Sequence, residues 1–444
     1  MKLKQLVLAL AAAAPFAAHA TDGYFSHGYG MQAKGMGGAS TAVAESAFGA
    51  ASNPATMAFA GDRWEIGVDL FSPWRKASRS GGAMAGLDGS VDSGSNYFAI
   101  PEFAINRMIS PTMSLGLTVY GNGGMNTDYD GGQLPSPGAC GPATGPGTGF
   151  NPQPGPYNLL CGTGSLGVDL MQLIIAPSVA FRLAPDHAIG IAPLFAYQRF
   201  EAVGLQAFAG FSTSPGDVSN RGYDNSTGYG VRVGYYGRIA PGFAIGAGYA
   251  TKMNMSEFDK YKGLFAEQGG FDIPSHWSLA ATFHASPTTL VTAEYQRINY
   301  SDVKSVSNPS SLLGNCLFGD ASACLGGSNG AGFGWQDIDV FKLGVQWQAS
   351  PTMTLRAGYN LSDNPIRDQD VTINILAPGV VRHHITLGGT FKLDAASAIT
   401  VAGMYAFNND VEAPSFFNNF APLGMTEKIE MYQYSIGVQY SSRF

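Results

Sequence analysis

The chain has 444 residues and a formal net charge of -7, and only 13% of its residues are Asp, Glu, Lys or Arg, against about 25% in an ordinary globular domain. This charge balance, without any basic run, excludes a nucleic-acid partner. With a mean hydropathy near zero, so little charge requires apolar and polar residues to be finely interleaved, and past the first twenty positions no apolar run reaches the roughly 18 residues of a transmembrane helix.

Residues 1–20 read as a cleavable export signal. Lys2 and Lys4 give a positive start, residues 6–18 are apolar, and Ala18-His19-Ala20 is a small-x-small cleavage site. The apolar run is too short for a bilayer anchor, which takes roughly 20 residues. Residues 21–62 do not alternate as strands do. They contain the glycine-rich run Gly28-Tyr29-Gly30-Met31-Gln32-Ala33-Lys34-Gly35-Met36-Gly37-Gly38 and end near Asn53-Pro54-Ala55. A flexible tail has little use for Tyr24, Phe25, Tyr29, Met31, Met36, Phe48, Met57 and Phe59. A compact plug inside a wide barrel would bury them.

From residue 63 to the end, period-two alternation takes over. In Phe341-Lys342-Leu343-Gly344-Val345-Gln346-Trp347-Gln348 one face is apolar and the other polar, and residues 353–360 and 384–393 repeat the pattern. Such strands put one face on lipid and the other on polar groups or water. Brief turns join several pairs: Ser110-Pro111-Thr112, Pro185-Asp186, Pro241-Gly242, Ser286-Pro287-Thr288, Ser350-Pro351-Thr352 and Asp394-Ala395-Ala396. Between them lie long polar connections at 122–169, 201–225, 301–336 and 408–430. Short turns alternating with long loops imply an all-β fold: a transmembrane antiparallel β-barrel of about fourteen strands with long loops outside. That count gives about seven outer loops and six inner turns when both termini are periplasmic.

Cys140 and Cys161 share one Gly/Pro-rich stretch, and Cys316 and Cys324 share another. One local disulfide in each is the simplest pairing, although four cysteines allow three connectivities. No histidine stands at zinc spacing from either pair, and the residues ask for no cofactor. The last strand carries Tyr432, Tyr434, Ile436, Val438 and Tyr440 on one face and ends in Phe444. That ending is the signal expected by the outer-membrane assembly machinery, in a membrane of lipopolysaccharide and phospholipid. The chain is expected to act as a monomer.

The run from Gly23-Tyr24-Phe25 to Gly38, then Asn53-Pro54-Ala55, then a first strand at Trp64 resembles the FadL family (OmpP1/FadL/TodX) of outer-membrane transporters of hydrophobic compounds. Further pieces are Gly116-Leu117-Thr118-Val119, Ile273-Pro274-Ser275-His276-Trp277 and Asp363-Asn364-Pro365-Ile366. Their shared order extends the resemblance over nearly the whole mature chain. It implies a signal peptide at 1–20, a hatch at 21–62 and a barrel at 63–444. It also implies that Asn53, Pro54 and Ala55 lie beside an inward kink of the third strand, which opens the wall. The matching kink residues are Gly121, Asn122, Gly123 and Gly124, where three glycines at a strand end already signal a bulge.

The resemblance further implies facilitated diffusion of a hydrophobic small molecule, long-chain fatty acids first and uncharged aromatic or aliphatic hydrocarbons as the alternative. Tyr24 and Phe25 at the hatch, and Leu159, Leu160, Leu264, Phe265, Phe416 and Phe417 in loops, are candidate ligand contacts, the loop residues as an exposed capture surface. The family's basic carboxylate contacts fall near Gly204 and Gln336, which carry no charge, so Arg199 and Lys342 are the candidates to replace them. Rival readings are a general porin and a lipid-processing barrel enzyme. Gly326-Gly327-Ser328-Asn329-Gly330 fits G-x-S-x-G but lacks the strand-turn-helix context that chemistry needs. His383 and His384 point to opposite faces of a strand. Asp363, Asp368 and Asp370 are acidic enough only for a weak calcium contact.

Overall fold

Each alternating segment becomes a strand, and most strands run past the point where the alternation fades. The computed structural model describes residues 22–82, 86–135, 140, 151, 154–419 and 424–444, so the expected export signal, with its expected cleavage site at Ala18-His19-Ala20, lies outside the described residues. Fourteen long strands occur among the described residues: β1 (Arg63–Ser80), β2 (Phe98–Ser110), β3 (Met113–Tyr129), β4 (Leu166–Ala184), β5 (His187–Val203), β6 (Asp224–Ala240), β7 (Phe243–Ala250), β8 (His276–Ser286), β9 (Thr289–Ile298), β10 (Ile338–Ser350), β11 (Met353–Ser362), β12 (His383–Lys392), β13 (Ser397–Pro414) and β14 (Thr426–Arg443). Two short strands, Gly89–Asp92 and Asn254–Met255, extend the wall at β1 and β6.

Every consecutive pair is antiparallel, and β14 returns to β1 in continuous register from Arg63 opposite Arg443 to Ser80 opposite Thr426. Closure leaves no sheet edge to be satisfied in lipid. Along β5, Ile189, Ile191, Phe195 and Tyr197 are exposed on the outside, while Ala188, Ala192, Leu194 and Ala196 are buried inside. No helix of the described residues is long and apolar enough to cross a membrane. The six short turns lie at one end of the barrel and the seven long connections at the other.

The expected loop boundaries need correction. Residues 122–129 belong to β3, β13 reaches Pro414, and β14 starts at Thr426. Beyond the bilayer a strand no longer needs an apolar outward face, so alternation fades while the backbone pairing continues, as in Asn409 to Pro414 opposite Met431 to Thr426.

Residues 22–62 lie inside the barrel as short helices (Met31–Lys34, Met57–Ala60) and 3-10 turns (Ala47–Ala51, Pro54–Thr56). Its turns satisfy part of this backbone internally, as in Gly35 N to Met31 O and Asn53 N to Gly49 O, and the wall supplies further partners. Gly30 N donates to Glu102 Oε2 at 3.1 Å, Met31 N to Gln439 Oε1 at 2.8 Å and Gly37 N to Thr386 Oγ1 at 2.8 Å. Ser40 N and Thr41 N both donate to Glu294 Oε2 at 2.9 Å. Lys34 Nζ sits 2.6 Å from Asp69 Oδ2. The plug is therefore held by a polar inner wall.

Candidate functional site

The third strand breaks the wall. Pairing between β3 and β4 shifts register between Gly121 and Gly123, leaving Asn122 as an extra residue, which bends a strand. Pairing between β2 and β3 covers only Phe103 opposite Val119 to Ser110 opposite Met113. Above it, Phe98 to Glu102 pair with β1, and Gly121 to Tyr129 pair with β4. Among the described residues the wall closes again on β3 ahead of β2, where Ser93 bridges Tyr129 and Gly94 N donates to Asp128 O at 2.7 Å. The result is a window between Phe98–Glu102 on one side and residues 120–128 on the other.

The start of the hatch lies across the inner side of this window. Phe25 bridges Gly123, Ser26 N donates to Asn122 O at 3.0 Å, and Gly124 N donates to Tyr24 O at 3.1 Å. A Cβ on Gly123 would fall on the Tyr24 carbonyl, so only glycine admits this approach. Asn122 itself is tied down, with Nδ2 donating to Gln172 Oε1 at 2.9 Å and Oδ1 accepting from Tyr29 Oη at 3.1 Å.

The Asn-Pro-Ala motif lies elsewhere, a correction to its expected place beside the kink. Asn53 accepts from Ala55 N at 3.0 Å, and its Nδ2 donates to Thr41 O at 2.8 Å and to Tyr235 O at 2.7 Å on β6. Gly190 and Gly234 leave room for this turn, since a Cβ at either would strike Pro54 or Asn53. The motif anchors the hatch to β5 and β6, whereas Tyr24, Phe25 and Ser26 cover the window.

Above the hatch the interior turns apolar. The Tyr24 ring packs 5.2 Å from Tyr300, 5.8 Å from Trp335 and 6.4 Å from Phe271. Phe271 continues to Phe265 at 4.8 Å and Phe265 to Phe200 at 4.7 Å. A cavity of about 30 Å³, lined by Phe200, Leu264, Phe265, Leu313, Phe333 and Leu376, lies at the outer end of this chain of rings. Burial, first of all, raises the Tyr300 phenol well above its usual range, so it stays protonated. Tyr300, Trp335 and Phe271 escaped the sequence reading because loops carry no periodicity; aromatics inside polar connections were the available signal.

The proposed capture residues are buried, not exposed. Leu159 and Leu160 are fully buried, Leu264, Phe265 and Phe417 nearly so, and Phe416 is half-buried against the same core. Long loops folded back into the barrel mouth bury their own apolar groups. Arg199 shares the outward face of β5 with Phe195 and Tyr197, and its guanidinium lies 3.4 Å from the centre of the Tyr223 ring. It cannot meet a ligand inside. Lys342 does face inward, but it already lies 3.9 Å from Asp22 Oδ2 and 3.7 Å from Glu294 Oε1, and donates to His27 O at 3.1 Å.

Disulfides join Cys140 to Cys161 and Cys316 to Cys324. Asp370 is buried on Ser310 and Arg367 while Asp363 and Asp368 stay exposed, so the three do not converge. Phe444 is exposed at the end of β14, with Arg107 5.9 Å from its ring centre.

Residues 158–444 match the family model of the outer membrane protein transport proteins (OMPP1/FadL/TodX). The chain belongs to this family. FadL/TodX-family proteins are outer-membrane β-barrel channels for hydrophobic compounds, and the chain is accordingly a transporter of that kind and not an enzyme. The fold agrees with solved structures across nearly its whole length. The toluene transporter TodX of Pseudomonas putida is 17% identical, covers 94% of this chain and 99% of its own, and superposes with a TM-score of 0.64. A FadL homologue of Pseudomonas aeruginosa is 13% identical, covering 95% and 100%, with a TM-score of 0.67. The Ralstonia pickettii toluene transporter TbuX is 16% identical, covering 94% and 99%, at 0.59. No curated protein matches the sequence. The hatch and the kink lie outside the family-model match, so their roles rest on geometry.

Proposed function

We propose that this FadL-family barrel carries hydrophobic compounds, long-chain fatty acids first, by facilitated diffusion from the outer loops to a lateral exit in its wall. The observation that carries this reading is the unpaired stretch between β2 and β3, covered from inside by Tyr24, Phe25 and Ser26. A greasy solute gains nothing from a water-filled pore. The ring path from Phe200 to Tyr24 would instead pass it from the loops to the hatch. Withdrawal of residues 24–26 would then open the window toward the acyl chains of the membrane. Asn53, Pro54 and Ala55 would hold the rest of the hatch in place, and the two disulfides would brace the loops above.

Lys342 favours a second reading. A lysine flanked by two carboxylates offers little to a third, which suits uncharged aromatic or aliphatic hydrocarbons. The toluene transporters among the structural relatives fit that class. Uptake of radiolabelled oleate and toluene by cells lacking their own transporter separates the readings: oleate uptake supports the first, toluene alone the second, and uptake of neither counts against both.

A further inference from the structure

Three inward-facing arginines lie on β1; Arg63 lies 3.6 Å from Glu65, and the opposite strand treats the other two differently. Arg79 stands opposite Glu427 and its Nε donates to that carboxylate at 2.7 Å. Arg75 stands opposite Met431. It is 4% exposed, yet among the described residues it meets only neutral oxygens. Its Nη2 donates to Ser93 Oγ at 2.8 Å, to Ser95 O and, at 3.5 Å, to Asn96 Oδ1. Its Nε has no partner among the described residues.

The place of this guanidinium matters as much as its lack of a counter-ion. Ser93 is the residue that closes the outer end of the window: it bridges Tyr129, and its Oγ accepts from Asp128 N at 3.0 Å. Arg75 therefore sits on the inner side of the window's outer rim. Phe98, Ile100, Met125 and Tyr129 along the frame belong to one buried apolar cluster. Arg232 and Arg356 also lack an ion pair among the described residues, but both lie beside the hatch with donors set on built-in oxygens: Tyr120 Oη for Arg232, Gln346 Oε1 and Thr390 Oγ1 for Arg356.

An arginine stays charged at any accessible pH, and a buried charge without a partner is costly. We propose that Arg75 is a carboxylate-binding site, which receives the head of a hydrophobic monocarboxylic acid while its tail passes the window. The free Nε–H donates to one carboxylate oxygen, a charge-assisted bond in an apolar surround. Arg75 thus takes the place that Arg199 and Lys342 do not fill, and the inference rests on the reading that acids leave by the window.

The test uses the full chain in cells without their own transporter, with outer-membrane amounts equalised, and measures uptake of oleate, methyl oleate and toluene. In Arg75→Gln, oleate uptake is expected to fall about tenfold, the loss of one charge-assisted bond, while methyl oleate and toluene stay at wild-type rates. Arg75→Lys, which keeps the charge, should retain part of the oleate uptake. Unchanged oleate uptake in Arg75→Gln would overturn the proposal. So would an equal loss of methyl oleate, because Arg75 would then merely brace the rim. A wild-type protein that carries toluene but no oleate also overturns it and leaves the window standing, whereas one that carries none of the three brings down the transport reading itself.

Discussion

Tyr300 and Asp22, 278 positions apart, meet where the fifth outer loop touches the start of the hatch: Tyr300 Oη donates to Asp22 O at 2.7 Å and accepts from Tyr24 N at 3.1 Å. One hydroxyl thus holds two successive points of the segment that covers the window. Gly23, between them, has φ 64°, and a Cβ there would strike the same hydroxyl.

Tyr300→Phe removes both bonds and leaves Tyr24 N buried without its partner. The cost to hatch docking is expected at about 1–3 kcal/mol, so amide exchange at residues 22–26 should speed up at least fivefold while the barrel amides stay protected. Hydrogen exchange resolved by mass spectrometry reads this directly.

Docking should also respond to acid. Burial raises the Asp22 carboxyl to about 6, against the opposing pull of Lys342; Asn360 also lowers it, and Glu294 adds to the rise. The docked hatch therefore binds a proton more tightly than a released one, whose Asp22 would titrate near 4. Docking is weakest above pH 6, strengthens as pH falls through the interval from about 6 to 4, and gains nothing further below it. In Asp22→Asn the exchange rate of residues 22–26 should lose this pH dependence.

Arg79 and Glu427 are both fully buried, and Glu427 also accepts from Thr372, while Arg79 Nη2 holds Leu159 O at 2.7 Å. Glu427→Gln strands the guanidinium and is expected to cost about 3–5 kcal/mol. The double variant Arg79→Met, Glu427→Gln should be less damaged than Glu427→Gln alone. Urea unfolding followed by the heat-dependent gel shift of the barrel gives the order.

Much of this architecture was legible because the bilayer imposes a two-residue period on one face of every strand. The turns at Ser286-Pro287-Thr288 and Ser350-Pro351-Thr352, and the bend at Gly121 to Gly124, stood out for the same reason, as breaks in that period. The aromatic content of residues 24–59 marked a segment that needed burial, though not which wall it would touch: Asn53 reached Tyr235 on β6, away from the kink. Arg199 could have been placed from parity, since it shares its face with Ile189, Ile191 and Phe195, all lipid-facing. Tyr300, Trp335 and Phe271 could not. Loop residues are buried by how loops fold over one another, which leaves no repeat to read.

Removing the bend tests the lateral exit most directly. Deleting Asn122 takes out the extra residue between Gly121 and Gly123 and lets β3 continue in register. Uptake of oleate and toluene should then fall to the level of cells without the protein, at an unchanged amount of folded barrel. Wild-type uptake by the straightened barrel would contradict the exit through the wall.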